Sequence, residues 1–243
     1  MDILYEDNHL IAVIKPPGIL SQAENSGAED MVSLLKKDIK ERYQKPGNVF
    51  VGLVHRLDRN VGGTMVFART SKGASRLSDS LRNKQFYKAY FAVANGTVDS
   101  PYITLQNYLY KDENQNIVRE DSTKGKLSIL KVIRLAVNND AHKTLVLALP
   151  VTGRSHQIRA QMALAGLPLE GDPKYGTGMA VSGRREDLGL WSCHVAVKHP
   201  VRDEMLHFTS APEQKGVWTA FCEADYDKGL HVPTERIVEW FTI

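Results

Sequence analysis

Residues 48–68 read NVFVGLVHRLDRNVGGTMVFA. Apolar and β-branched residues dominate both ends of this stretch, at 49–54 and at 64–68, and such runs are typical of β-strands. Between them, Gly62 and Gly63 can supply positive φ angles or a close backbone approach. The stretch therefore predicts a tight loop between two strands.

The loop carries a single acid, Asp58, between Arg56 and Arg59. Two flanking guanidinium groups favour the ionised carboxylate, which suits a nucleophile or an electrostatic partner better than a proton acceptor. The alternative is a salt-bridged aspartate with a structural role in a β-turn. The loop alone leaves both interpretations open.

The composition is that of an ordinary globular protein. Of 243 residues, 42% are hydrophobic and 24% are charged, and the formal net charge is +3. No apolar run is long enough to span a membrane, and the acidic start at residues 2–7 does not resemble a secretory signal. Cys193 and Cys222 lie far apart without a metal-ligand pattern, which indicates a reducing cytoplasm and no metal site. A Gly-Lys phosphate loop and a dinucleotide fingerprint are also missing, so we expect no cofactor.

Predicted strands outnumber predicted helices, which favours an α+β fold. The predicted strands are 3–5, 10–15, 49–54, 65–68, 89–93, 126–135, 144–149 and 194–198. The predicted helices are 33–43, 71–83 and 155–165, with Thr70 or Ser71 as a cap of the second and Gly166 as a cap of the third. Residues 111–124 are predicted to form an exposed turn and 176–189 a loop. We see no repeat and no domain boundary, so residues 1–243 are predicted to form a single domain.

Positive charge is concentrated between Arg69 and Lys88, where Asp79 is the single acid. One interpretation is a surface that follows nucleic-acid phosphates beside the Asp58 loop. The other is a solvated helix face.

A second group of polar residues lies at 149–161, which read LPVTGRSHQIRAQ. The pattern indicates a strand, a glycine turn and the start of a helix. Arg154 and His156 at such a turn could hold a phosphate, or pair with a carboxylate from another loop. The alternative is an ordinary turn capped by Thr152 or Ser155, with Arg154 in solvent.

These motifs, in this order, resemble the RluA-type family of RNA pseudouridine synthases, whose central signature is a His-Arg-Leu-Asp-Arg run closed by a glycine. The resemblance spans nearly the whole chain. The matching blocks are 3–8 with 13–18, 55–59, 88–92 running to Gly96, 152–159, 171–176, and His199-Pro200. It implies a mixed, mostly antiparallel sheet flanked by helices and loops around a central active-site cleft, without a separate N-terminal RNA-binding domain.

Three positions depart from the family pattern. Val61-Gly62-Gly63 stands where the family usually has Thr-Ser-Gly, and Gln161 and Trp191 each replace a customary histidine. None removes a candidate catalytic residue, so the resemblance still implies activity.

The resemblance implies isomerisation of specific uridines to pseudouridine in structured ribosomal or transfer RNA. Asp58 would be the nucleophile or anionic stabiliser, attacking either the ribose carbon or the uracil ring. Tyr90 matches the tyrosine that stacks on the target ring, near the proton removed late in the reaction. Arg154 matches the arginine thought to pair with the aspartate.

The target base must leave its helix or folded loop to reach a carboxylate. Arg56 is the candidate for filling the gap, because a guanidinium can stack on bases and bind phosphates. The further expected substrate contacts are His55, Lys15, Arg69, Arg76, Arg82, Lys88, His156 and Ile158. The expected partner is RNA, with no membrane and no nucleotide cofactor, and the expected state is a cytoplasmic monomer.

Two rival classes remain at this point. One is an RNA-binding protein that keeps the fold without the chemistry. The other is a hydrolase built on His55 or His156 with Ser155, but the chain lacks a Gly-x-Ser-x-Gly elbow, and adjacent Ser155 and His156 suit productive geometry poorly.

Overall fold

The structure, a computed structural model, describes residues 1–24, 27–176 and 188–241. The strands are β1 (Ile3–Glu6), β2 (Leu10–Lys15), β3 (Gly52–Leu53), β4 (Gly62–Ala68), β5 (Phe86–Asn95), β6 (Tyr102–Asp112), β7 (Ile117–Glu120), β8 (Lys126–Asn138), β9 (Lys143–Pro150), β10 (Leu190–Lys198) and β11 (Met205–Thr209). The helices are α1 (Met31–Arg42), α2 (Ser71–Arg82), α3 (Gln157–Leu164), α4 (Glu223–Leu230) and α5 (Thr234–Phe241), and a short 3₁₀ helix covers Gly216–Ala220. No helix in the described ranges is long and apolar enough to cross a membrane.

The chain divides into two compact units, each made of two segments. The first unit is Met1–Lys88 with Ser192–Ser210, and the second is Ala89–Trp191 with Ala211–Ile243. A single catalytic domain over residues 1–243 therefore stays a prediction.

In the first unit, β1, β2, β4 and β10 are neighbours in that order, β3 also pairs with β4, and β11 pairs with β10. Helix α2 begins where the Thr70 hydroxyl accepts from the Gly73 amide, which confirms the predicted cap. Its Leu77 is fully buried in a core with Val66 of β4 and Val195 of β10. This core anchors β4, the strand that follows the Asp58 loop.

In the second unit, β5, β9, β8, β6 and β7 are neighbours in that order, and every pair is antiparallel. Helix α3 packs against β6 and β8. Its last residue is Leu164 and its C-cap is Ala165; Gly166, the predicted cap, follows one position later with φ of +75° and donates its amide to the Ala163 carbonyl. Helix α4 contacts β8 elsewhere in the unit.

Several elements differ from the sequence prediction. The elements that the prediction missed are β6, β7, β11, α4 and α5. Residues 111–124 are not one exposed turn, because β6 continues into this stretch and β7 lies within it. The strand predicted at 49–54 is reduced to β3. Most of the predicted loop at 176–189 lies outside the described residues.

Candidate active site

The Asp58 loop connects β3 to β4, as predicted. It closes with a turn in which the Val61 amide donates to the Asp58 carbonyl over 3.0 Å. The Leu57 side chain is buried while Arg56 is exposed and Asp58 is half-buried. Leu57 therefore anchors the loop to the core, and its two polar neighbours remain accessible to solvent.

Gly63 is required where the loop enters β4. Its φ is +114°, and a Cβ atom added there would lie 2.3 Å from the Ser192 carbonyl oxygen. The positive φ and the close backbone approach predicted for the glycine pair are thus both found at this residue.

The segment after β2 holds the loop through its backbone. The Ser21 hydroxyl donates to the Leu57 carbonyl over 2.7 Å and accepts from the Leu57 amide over 3.0 Å. The Gly18 amide donates to the Arg59 carbonyl, and the Arg59 guanidinium donates to the Gly18 carbonyl. These contacts fix the backbone on both sides of Asp58.

Lys15 is a structural support of this loop, which corrects the expectation that it lies on an RNA-binding rim. Its side chain is fully buried. The ammonium group donates to the carbonyls of Pro16, Ile19 and Arg59 at 3.0, 2.7 and 3.0 Å. Burial lowers the pKa of Lys15 to about 7, although the nearby Asp58 carboxylate favours its charged form.

His55 is likewise placed for a structural role and not for the expected substrate contact. It is buried, its Nε2 accepts from the Val66 amide over 2.9 Å, and its ring lies 4.9 Å from that of Phe86. Burial, assisted by the charge of Lys88, lowers the pKa of His55 to about 3. The ring is therefore neutral near pH 7 and a poor base, which disfavours a hydrolase built on it.

In the second unit, Tyr90 is buried on β5, opposite Ala148 of β9. Arg154 lies in the turn between β9 and α3 and is exposed. Its guanidinium donates to the Leu127 carbonyl over 3.3 Å, and its amide donates to the Gln157 side-chain oxygen over 3.0 Å. The turn of the candidate arginine is thereby attached to β8.

Two glutamines that the sequence analysis did not assign to the site organise this turn. The Gln157 amide group donates to the Ile129 carbonyl and to the side-chain oxygen of Gln161. Gln161 is fully buried and donates to Asn107 and to the carbonyls of Leu105 and Ser128. Gln161, which replaces a customary histidine, thus connects α3 to β6 and β8.

Helix α3 begins at Gln157, two residues later than predicted. Its N-cap is His156 in the left-handed conformation, with φ of +47° and no side-chain cap bond, so neither Thr152 nor Ser155 is the cap. The His156 Nδ1 is 2.8 Å from the Tyr175 hydroxyl, which also accepts from the Val118 amide. The Tyr175 hydroxyl thus connects the N-cap residue of α3 to β7.

The remaining predicted residue of this motif, Ile158, is buried. Next to it, Arg159 forms two hydrogen bonds with the buried carboxylate of Asp172, at 2.8 and 2.7 Å. Burial raises the pKa of Asp172, but the bonds and charge of Arg159 outweigh it and hold that pKa below its usual value. The arrangement around Ile158 and Arg159 favours a supporting role.

The basic stretch is only partly available to a ligand. Arg69 is nearly buried and pairs with Glu6 over 2.8 Å, and Lys88 is half-buried. Arg76 and Arg82 are exposed, although Arg76 donates to the Pro200 carbonyl and Arg82 pairs with Asp79. Arg69 is thus engaged by Glu6, and contact of Arg76, Arg82 and Lys88 with RNA stays a prediction.

Within the described ranges, no group of three or more His, Cys, Asp or Glu side chains could hold a metal ion. Cys193 and Cys222 are both free thiols.

The fold is shared with pseudouridylate synthase domains of known structure. The chain matches human RNA Pseudouridylate Synthase Domain Containing 1 with a TM-score of 0.70 and 18% identity, over 96% of this chain and 95% of that one. It matches human RNA Pseudouridylate Synthase Domain Containing 4 with a TM-score of 0.72 and 18% identity, over 90% of each chain. These likenesses confirm the predicted α+β pseudouridine synthase fold.

Sequence comparison gives the family. The family model described as RNA pseudouridylate synthase matches residues 9–164. The uncharacterized RNA pseudouridine synthase YhcT of Bacillus subtilis is 32% identical over 85% of this chain and 67% of its own length. The dual-specificity RNA pseudouridine synthase RluA of Haemophilus influenzae is 32% identical over 86% of this chain and 92% of its own length. The chain belongs to the RNA pseudouridylate synthase family, which confirms the RluA-type resemblance and, at the level of the family, the predicted enzyme class.

Relatives differ in how much of their length this chain spans. The ribosomal large subunit pseudouridine synthase C of Vibrio parahaemolyticus is 30% identical over 88% of this chain and 66% of its own length. The chain thus spans about two thirds of that relative and of YhcT.

Proposed function

We propose that this protein isomerises specific uridines to pseudouridine within structured RNA. In this reaction the N1–C1′ glycosidic bond breaks, the uracil rotates, and a C5–C1′ bond forms. The C5 proton is released and N1 gains a proton, so atoms balance without a redox partner.

Asp58 is the proposed nucleophile or anionic stabiliser. The observation that carries this assignment is the backbone support of its loop by Lys15, Gly18 and Ser21, in a chain of this family. This support fixes the backbone that carries Asp58, and catalysis requires a reacting carboxylate positioned before substrate arrives.

Tyr90 and Arg154 are proposed as the stacking tyrosine and the arginine that orients Asp58. The proposal for Arg154 is supported by its exposed guanidinium on a turn fixed by Gln157. Arg56, exposed two residues before Asp58, is proposed to occupy the space that the flipped uridine leaves.

The proposed substrate is ribosomal or transfer RNA, and the name of the Vibrio parahaemolyticus relative, a ribosomal large subunit pseudouridine synthase, supports the ribosomal class. We further propose that the protein is a cytoplasmic monomer without a cofactor. Two free cysteines are consistent with a reducing compartment.

Pseudouridine mapping across total RNA tests the function. RNA from cells with and without this gene is compared, and purified protein is added to the unmodified RNA. We expect at least one uridine that loses its modification without the gene and regains it with the protein. Identical maps, together with no conversion by the purified protein, would leave an RNA-binding protein without chemistry.

A further inference from the structure

One face of β6 carries a row of exposed tyrosines. Tyr102, Tyr108 and Tyr110 have 43%, 46% and 38% of their surface exposed. Their even-numbered positions put them on the same face of the strand, together with the exposed Thr104 and Gln106.

Helix α3 lies on the opposite face of this strand. The odd-numbered Leu109 is buried and clusters with Ala160 of α3. Asn107, also odd-numbered, accepts from Gln161 of the same helix. The tyrosines therefore point away from α3, and we call Tyr102, Tyr108 and Tyr110, with the exposed Leu127 of β8, the tyrosine face.

Two cations lie beside Tyr110 on the tyrosine face, and the Asp121 carboxylate lies near one of them, Lys124. Arg119 of β7 is directly opposite Tyr110 in the register, so both lie on this face. The Lys124 ammonium is 5.7 Å from the centre of the Tyr110 ring. The neighbouring acid Glu120 is opposite Leu109, on the α3 side, where it accepts from Asn107.

The tyrosine face also adjoins the turn of the candidate catalytic arginine. Leu127 is opposite Tyr108 in the register, and its carbonyl accepts from the Arg154 guanidinium. A nucleotide chain bound near Arg154 can thus continue along β6 within the same unit.

We propose that the tyrosine face is a stacking platform for unpaired bases of the RNA next to the target uridine. Tyr108 and Tyr110 stack on bases, and Arg119 and Lys124 bind the adjacent phosphates. The inference rests on the proposed function for its choice of RNA. A protein partner is less suited, because exposed aromatic rings beside the cations Arg119 and Lys124 match the alternating bases and phosphates of a nucleic acid.

Binding of a single-stranded oligouridine of roughly 20 nucleotides tests the platform, because this length exceeds site sizes of about 4–16 nucleotides. Tyr108→Ala should weaken binding roughly 5- to 150-fold, the range for loss of one stacked base. Tyr108→Phe should bind like the wild type, since it keeps the ring. Lys124→Gln should lower the slope of log Kd against log salt by about 0.7, whereas Tyr108→Ala should leave that slope unchanged.

Tyr43→Ala is the matched control, because Tyr43 is 50% exposed and also flanked by cations but lies in the first unit. Unchanged affinity of both Tyr108→Ala and Tyr110→Ala would overturn the platform, as would an equal loss in Tyr43→Ala. The circular dichroism spectrum confirms the fold of each variant. Oligouridine binding is measured separately from conversion of uridine. If the wild type converts no RNA but Tyr108→Ala still binds oligouridine more weakly than the wild type, the proposed function is refuted and the platform is supported.

Discussion

Lys15 illustrates how single residues determine the geometry of the Asp58 loop. Its buried ammonium group binds three carbonyls, one of which belongs to Arg59, next to Asp58. Removing it leaves those carbonyls without their donor, at a cost of about 1–3 kcal/mol for a buried unsatisfied group. The Lys15 side chain thus supports the Asp58 loop and is at the same time a buried charge.

Lys15→Met should change how stability depends on pH. The pKa of Lys15 falls from 10.5 to about 7 on folding, so between these values the unfolded chain binds a proton that the folded chain does not. The free energy of unfolding of the wild type should therefore rise relative to Lys15→Met from about pH 7 to about pH 10, by up to about 1.4 kcal/mol per pH unit. Urea unfolding measures this difference.

The exposed Lys45 provides the control for this series. Lys45→Met should follow the pH dependence of the wild type. Parallel curves for the wild type and Lys15→Met would show that Lys15 does not titrate in this range.

Gly63→Ala tests the close approach at the start of β4. The added methyl group would lie 2.3 Å from the Ser192 carbonyl oxygen at a φ of +114°, so backbone atoms must move. We expect the free energy of unfolding to fall by at least about 3 kcal/mol. Gly47→Ala is the control, because no atom lies within 4 Å of its added Cβ. If the free energy of unfolding falls equally little in both variants, the close approach at Gly63 is contradicted.

At the scale of elements, Asp7 connects two turns of the first unit. Its carboxylate accepts from the amides of His9 and Leu10, after β1, at 2.7 and 2.9 Å. It also lies 2.8 Å from the ring of His199, after β10. Burial raises the pKa of Asp7, but the amides of Leu10 and His9 and the His199 ring outweigh it and hold that pKa at about 2.

Asp7→Asn should lower the free energy of unfolding by about 1–2 kcal/mol at neutral pH. A carboxyl group whose pKa is depressed on folding stabilises the fold above its unfolded pKa, and this contribution is lost as the pH falls through the folded value. The difference between wild type and Asp7→Asn should therefore vanish between about pH 4 and pH 2, as thermal unfolding can show. The exposed Asp140→Asn should match the wild type, and a pH-independent difference for Asp7→Asn would exclude this origin.

The sequence predicted those elements whose local pattern agrees with their environment. The bounds of β2 match the prediction, and those of α2 differ by one residue, because a buried apolar run and a Thr70 cap are visible locally. β6 was missed although its residues alternate, because its tyrosines face solvent and resemble no buried strand. The start of α3 could not be read from its sequence, since Gln157 and Gln161 find their partners on β6 and β8.

In the candidate site, too, the sequence predicted local features and missed those that depend on distant contacts. The position of the Asp58 loop was predictable because its glycines and flanking strands are consecutive in the chain. The burial of Lys15 and His55 was not, because it depends on contacts with Ile19, Arg59 and Val66, which local charge patterns do not report.

At the scale of the whole molecule, the net charge of +3 is small for a protein proposed to bind RNA. Affinity must then depend on where the exposed cations lie. In the basic stretch, Arg76 and Arg82 are exposed, as are Lys72 and Lys84.

Replacing Arg76 and Arg82 with Gln should weaken RNA binding and reduce its salt slope by about 0.7 for each lost contact with single-stranded RNA. The rate at saturating RNA should change little. Lys215→Gln in the second unit is the control, because Lys215 is an exposed cation paired with Glu213. Equal salt slopes for the wild type and the double variant would identify this stretch as a solvated helix face.

The most direct test of the account is tritium release from RNA labelled at uracil C5, compared between wild type and Asp58→Asn. Isomerisation replaces the C5–H bond, so each turnover releases one tritium. We predict release by the wild type, none by Asp58→Asn, and equal RNA affinity for both, because the substitution removes the reacting carboxylate while leaving the backbone contacts of the loop available. Release at the wild-type rate by Asp58→Asn would contradict the central claim.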